Sequence, residues 1–224
     1  WNFSQLSCVC YSPDKTKFAV SGYLPTAVRV YDIKEKKVIW ENPSLIDEIN
    51  WVQFICDGKE IITASLNKIT FIRSFRLETT KETHRWKSDK IIKLIEINKR
   101  RNLLALCNED GDIDLLNWPP SNLRPLKKIL DQYNYLKPKQ ILFISRSDEK
   151  FERLLILRKK LVIVENILPV VNKASQEDSP NLTVREVKIG QDNIASMAYS
   201  EKKSLIAFAI ADPNQFKIVI FDSY

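Results

Sequence analysis

Short apolar runs separated by polar turns recur along the chain. The stretch LSCVCYSPDKTKFAVSGYLPTAVRVYDIKEKKVIW (residues 6–40) shows the pattern first. It has three runs of strand length split by two turns, the third run ending in Tyr31-Asp32. The pattern returns in INWVQFICDGKEIITASLNKITFIRSF (49–75), IIKLIEINKRRNLLALCNEDGDIDLLNW (91–118), ILFISRSDEKFERLLILRKKLVIVEN (141–166) and NIASMAYSEKKSLIAFAIADPNQFKIVIFD (193–222). The apolar residues just before each first turn are Tyr11, Phe54, Ile97, Ile144 and Tyr199, at spacings of 43, 43, 47 and 55 residues. The middle runs KFAVSG, EIITAS, NLLALC, RLLILR and SLIAFA are short, bulky and bounded by turn residues, which favours strands over buried helix. A fourth run follows in KKVIWEN (36–42), LKKIL (126–130) and LTVREVKIG (182–190).

Each unit therefore reads as a four-stranded antiparallel meander, at about 6–42, 49–88, 91–130, 138–190 and 193–224. A sheet that is apolar on both faces cannot hide either alone. Stacking such sheets around an axis buries both, and closing the ring protects the edges. A four-stranded unit recurring about every 40 residues is the sequence sign of a β-propeller. The expected fold class is all-β, a single propeller domain or part of one.

The units resemble WD40 repeats. Tyr31-Asp32 and Phe221-Asp222 stand where that family has its terminal Trp-Asp, and YSPD and ICDG resemble its first turn. No Gly-His opens any unit, and Ser74-Phe75, Asn117-Trp118 and Glu165-Asn166 replace the dipeptide in three of them. Seven units at this period need roughly 280 residues, and five fit here. The ring has five blades, or the chain is part of a larger, about seven-bladed ring; the second is the favoured expectation. Residues 1–5, WNFSQ, are a candidate for the last unit's missing fourth strand.

Composition narrows the function classes. No apolar run reaches the roughly 18 residues of a membrane span; KLVIVENILPVV (160–171) is broken by Glu165, Asn166 and Pro169. No basic-then-apolar leader opens the sequence, which begins at Trp1 and so reads as a portion of a longer one. Cys8, Cys10, Cys56 and Cys107 sit inside apolar runs. With Cys8 and Cys10 two apart on one strand face, they read as packed free thiols, which points to a reducing intracellular compartment, nuclear or cytoplasmic. The single histidine, His84, lies in THRWK between two repeats and reads as a solvated linker residue. Asp112 and Asp114, two apart on a strand, read as solvent-facing beside Glu109-Asp110, too few oxygen donors for a calcium loop. With no nucleophile, metal or phosphate-cradling motif, neither catalysis nor a cofactor or small-molecule substrate is expected. A lipid-headgroup motif of the phosphoinositide-binding propellers, Phe-Arg-Arg-Gly, has only Phe71-Ile72-Arg73-Ser74-Phe75-Arg76 as its nearest match, so membrane binding is not the expectation.

Charge placement adds the sharpest functional signal. The net charge is +7. In a meander all first turns emerge on one side, and those turns hold Lys15, Lys17, Lys59, Lys99, Arg100, Arg101, Arg146, Lys150, Lys202 and Lys203 against Asp14, Asp57, Asp148, Glu149 and Glu201. The second turns are balanced. A basic face attracts RNA, DNA or acidic protein segments. The polar stretch KASQEDSPNL (173–182), with Ser179-Pro180, reads as an insertion able to touch partners. The expected function is a non-catalytic scaffold for other protein subunits. The alternatives are a nucleic-acid-contacting subunit using the basic face and a phosphoinositide-binding propeller. Changing Lys99, Arg100 and Arg101 together to Glu is expected to leave the circular dichroism spectrum and melting curve unchanged while weakening binding of an anionic partner in a pull-down. Unfolding would place the three residues inside the structure rather than on a face.

Overall fold

The computed structural model describes residues 5–23, 27–42, 48–65, 70–98, 102–120, 123–125, 137–144, 152–158, 161–167, 183–187, 194–200, 203–212 and 215–222. These form five sheets of consecutive strands, and every strand pair with a described register is antiparallel. Sheet 1 is β1 (Gln5–Tyr11), β2 (Lys17–Tyr23), β3 (Ala27–Asp32) and β4 (Lys37–Asn42). Sheet 2 is β5 (Trp51–Ile55), β6 (Glu60–Ser65), β7 (Thr70–Arg76) and β8 (Glu82–Ser88). Sheet 3 is β9 (Ile92–Asn98), β10 (Leu103–Asn108), β11 (Ile113–Asn117) and β12 (Leu123–Pro125). Sheet 4 is β13 (Gln140–Ile144), β14 (Glu152–Leu157), β15 (Leu161–Ile167) and β16 (Thr183–Val187). Sheet 5 has three described strands, β17 (Ile194–Ser200), β18 (Leu205–Asp212) and β19 (Gln215–Asp222). The chain divides into two compact units, Trp1–Lys93 and Leu94–Tyr224.

The two-residue period of a strand assigns each row of cross-strand partners to one face. In unit 1, Cys10 stands opposite Ala19, Ala19 opposite Val30, and Val30 opposite Trp40. This row, with Val28, packs on the row Phe54, Ile61 and Phe75 of sheet 2. Phe54 and Ile61 are wholly removed from solvent, and Trp40 meets Phe75 with ring centroids 5.8 Å apart. In unit 2, Ala105, Cys107, Ile113 and Leu115 of sheet 3 pack on Ile141, Phe143, Leu154 and Ile156 of sheet 4. The alternate residues of sheet 4, Ile144, Leu155 and Leu157, pack on Ile194, Met197, Ile206 and Phe208 of sheet 5. Sheet 4 is thus covered on both faces by neighbouring sheets.

Turn chemistry fixes where each strand reverses. The Ser12 hydroxyl accepts the Lys17 N–H at 2.9 Å, and Ser12 N–H donates to the Lys17 carbonyl at 3.0 Å. Asn108 Oδ1 accepts N–H bonds from Asp110 and Asp112, both at 2.9 Å, and Gly111 takes φ 92° where only glycine sits without strain. A bulge between Ile194 and Ser196 breaks the β17–β18 ladder. There the Gln140 side chain acts as a surrogate strand: its amide donates to the Met197 carbonyl at 2.8 Å and its carbonyl accepts the Met197 N–H at 2.8 Å.

Four expectations change. The fourth strand of sheet 2 is β8, which contains His84, so that residue is in a sheet, half-buried, and not in a linker. The fourth strand of sheet 3 is Leu123–Pro125, ahead of the expected 126–130, which lies outside the described residues. Asp114 is buried on β11, and Asp112 sits in the preceding turn beside the Asn108 amide. Cys8 and Cys10 do share the packed face of sheet 1, whereas Cys56 is exposed at the β5–β6 turn. Replacing Phe54 by Ala empties the centre of the unit 1 core. It is expected to lower stability by about 3–5 kcal/mol, read as a reduced urea midpoint at unchanged m-value.

Candidate interaction surfaces

The first turns of sheets 1 and 2 meet. A side chain added at Gly58 would lie 3.5 Å from Pro13 Cδ and 3.6 Å from Ser12 Cβ, so the two turns are in contact. Cys56, Asp57 and Gly58 all have positive φ, which coils this turn tightly enough to nest there. Lys15, itself at φ 59°, and Lys59 are exposed on these turns, and Lys17 is partly exposed. Unit 1 therefore brings three of the ten expected basic residues to one end. Lys203 is exposed in unit 2, at the β17–β18 turn. Lys99, Arg100, Arg101, Arg146, Lys150 and Lys202 lie outside the described residues, as do residues 173–182.

The same end of unit 1 carries more than the first turns. Ile33 N–H donates to the Thr16 carbonyl at 2.9 Å, and Leu77 N–H donates to the Lys59 carbonyl at 3.1 Å. The turns between third and fourth strands are thus bound to the first turns. Residues 12–17, 32–37, 56–60 and 76–82 together hold eight basic and seven acidic side chains, so this end is nearly neutral. Several of those charges are spent locally. Glu35 pairs with Lys37 and holds its ammonium pKa up, and Glu60 pairs with Arg76 at 3.5 Å. Asp14 accepts bonds from the Ser12 hydroxyl, the Thr16 N–H and the Thr16 hydroxyl, which hold its carboxyl down at about 2.

Near His84 the Ser74 hydroxyl is closed to solvent. His84 Nδ1 is 3.5 Å from Ser74 Oγ, which is 2.8 Å from Thr83 Oγ1, and that hydroxyl donates to Glu60 at 3.4 Å. Ser74 is completely buried, so no substrate carbonyl can reach its oxygen. These bonds fasten β8 to the sheet where a bulge at Thr83 interrupts its ladder. Cys107 is equally unsuited to chemistry: burial pushes its thiol up to about 12 and keeps it protonated. Among the described residues no three His, Cys, Asp or Glu side chains are grouped to hold a metal ion, and no helix is long and apolar enough to cross a membrane.

What the turn-centred reading missed is apolar. On sheet 1, the face away from sheet 2 carries the rows Tyr11–Phe18–Tyr31–Val38 and Val9–Val20–Arg29–Glu41. Phe18 and Tyr31 stack with ring centroids 4.9 Å apart, nearly coplanar, and Tyr11 lies 6.3 Å from Phe18. Val9 and Tyr11 are each 60% exposed. Arg29 and Glu41 close one end of this face with a 2.8 Å ion pair. On sheet 5, the face away from sheet 4 carries the rows Ala198–Ala207–Ile220 and Ser196–Ala209–Ile218. Ile218 is 75% and Ile220 61% exposed. Strand alternation in CVCYS and FKIVIF already held this signal, because residues of both parities are apolar there.

No protein-family model matches the chain, and no curated protein matches it in sequence.

The Asp14 bonds set an acid dependence. Its folded pKa lies below the ordinary carboxylate value, so its stabilising contribution is present near neutrality and is lost as pH falls from about 4 to about 2. Asp14→Ala is expected to be less stable than the parent at pH 6 and to converge with it by pH 2, measured as urea midpoints across that range.

Proposed function

We propose that this chain is a non-catalytic interaction scaffold, a propeller of the WD40 kind whose sheets radiate as blades and which serves as a subunit of a larger protein assembly. The observation that carries this reading is the outer face of sheet 1, where Val9, Tyr11 and Val38 are exposed beside one another. Contiguous apolar patches on a folded surface mark places where another macromolecule sits. Sheets packed face to face, with equivalent turns of sheets 1 and 2 in contact, support the blade arrangement. The WD40 resemblance supports the ring, either of five blades or as part of about seven. The near balance of charge at the described end of unit 1 favours protein partners over nucleic acid, whose affinity comes mainly from phosphate contacts.

A salt titration separates the readings. Fluorescence anisotropy with random-sequence RNA and with duplex DNA is expected to show no binding at about 50 mM salt. Binding that falls steeply as salt rises would replace the scaffold with a nucleic-acid-contacting subunit. Co-flotation with phosphoinositide-containing vesicles would replace it with a lipid-binding propeller.

A further inference from the structure

One charged side chain in unit 2 is buried without a counter-charge. The second strands contain the runs KFAVSG, EIITAS, LLALCN, RLLILR and LIAFAI. In sheets 2, 4 and 5 the second residues of these runs, Ile61, Leu154 and Ile206, face the preceding sheet. The two-residue period puts the sixth residues on the same side. Those sixth residues are Gly22, Ser65, Asn108, Arg158 and Ile210, and all five are buried. Four sheets fill the place with a small, neutral or apolar residue. Packing therefore makes no demand for an arginine there, yet sheet 4 has one.

Arg158 is 8% exposed, and its buried Nε–H has no acceptor. Its bond to the Gly111 carbonyl runs from Nη2 at 3.4 Å, longer than the usual range of about 2.7–3.2 Å. Among the described residues no carboxylate pairs with it. The Cys107 thiol near it stays protonated, because burial pushes its pKa up to about 12, and so supplies no negative charge at neutral pH. A guanidinium offers five N–H donors in a planar fork. One long bond to a neutral carbonyl leaves most of that capacity unused in a place where an unpaired charge is costly. An oxyanion from outside the chain would satisfy it.

Two further cations stand close by. A side chain added at Gly111 would lie 3.4 Å from Pro138 Cδ and 3.5 Å from Lys137 Cα, so residues 137–138 lie against the turn that Arg158 reaches. Lys139 N–H donates to the Leu157 carbonyl at 2.7 Å, which holds it beside the residue preceding Arg158. Lys137 and Lys139 are both exposed. Glu109 and Asp110, exposed on the Gly111 turn, act in the opposite sense. They repel a continuous chain of phosphates, whereas a single carboxylate on a guanidinium needs only local room. We propose that unit 2 binds an acidic segment of a protein partner, one carboxylate of which pairs with Arg158 while Lys137 and Lys139 attract its neighbours. This rests on the scaffold reading and names the chemistry of the partner. The pair is charge-assisted and two-pronged, the geometry in which arginine recognises acidic groups.

The Arg158 Nε–H gives a direct readout by NMR on the full, isotope-labelled chain, its resonance assigned through the Arg158 backbone. Titration with an end-blocked peptide of Asp, Glu and Gly is expected to shift that resonance, with a Kd of about 1 mM or tighter, while the matching peptide of Asn, Gln and Gly leaves it in place. Arg158→Lys is expected to keep its melting curve within a few degrees and to bind the acidic peptide about tenfold or more weakly by fluorescence anisotropy, because lysine lacks the fork. Should that variant fail to fold, the titration of the parent decides alone. An Arg158 resonance that the acidic peptide leaves unmoved overturns the proposal. So does peptide binding that a folded Arg158→Lys retains at full strength, which would reduce the guanidinium to its bond with Gly111. A resonance moved by inorganic phosphate or by a single-stranded RNA, and not by the peptide, overturns it in favour of a phosphate ligand. If the peptide fails and the chain also ignores RNA, DNA and vesicles, the scaffold reading stands with its partner on another surface. Salt-dependent RNA binding removes that reading itself.

Discussion

The constraint on which the rest of this structure depends is that its sheets are apolar on both faces. A half-solvated antiparallel sheet needs one partner, but a sheet with Leu154 and Ile156 on one side and Leu155 and Leu157 on the other needs two. Each large aliphatic side chain left in water forgoes about 1.5–3 kcal/mol. In sheet 4 the demand is met, because sheets 3 and 5 cover its two sides. The same demand explains the turn positions. Packing two sheets face to face in the same direction stacks their equivalent turns, and Gly58 lies against Pro13 at one such place.

Apolar faces alone would let neighbouring sheets slide, since burial is non-directional. Polar groups bridging between sheets remove that freedom. Gln140 of sheet 4 bonds both backbone groups of Met197 in sheet 5, on the edge strand β17 and just past its bulge. Arg158, at the end of β14, is buried and reaches the Gly111 carbonyl in the β10–β11 turn at 3.4 Å. Desolvation lowers its pKa, so the position is costly for a guanidinium, and a slip of sheet 3 against sheet 4 would forfeit the bond that offsets part of the cost. These contacts specify one register among the several that hydrophobic packing would tolerate.

Strands and turns were legible in the sequence because both depend on local chemistry. YSPDK announces a reversal, and brief runs such as NLLALC can form only a strand or a scrap of helix. The outer strands were less legible. THRWK is polar and charged, so β8 looks like linker, and what holds it is a ladder bond pattern supplemented by Ser74, Thr83 and Glu60 from three different strands. The burial of Asp114 and the exposure of Cys56 were hidden for the same reason: each depends on where a strand ends. The candidate basic end was half legible. First turns could be counted along the chain, but the backbone bonds that bring residues 32–37 and 76–82 to the same end, with their acids, are long-range.

Charge and shape therefore suggest different modes of action for this fold. At the described end of unit 1 eight basic side chains stand among seven acidic ones, with Lys37–Glu35 and Arg76–Glu60 paired directly, so little net field remains to steer a distant anion. The outer faces of sheets 1 and 5 have the opposite character. Their apolar side chains are held in ordered rows by strand registry before any partner arrives, which spares an incoming surface most of the ordering entropy of docking. On the scaffold reading, recognition would follow the rule that folds the molecule, one pleated apolar face seated against another.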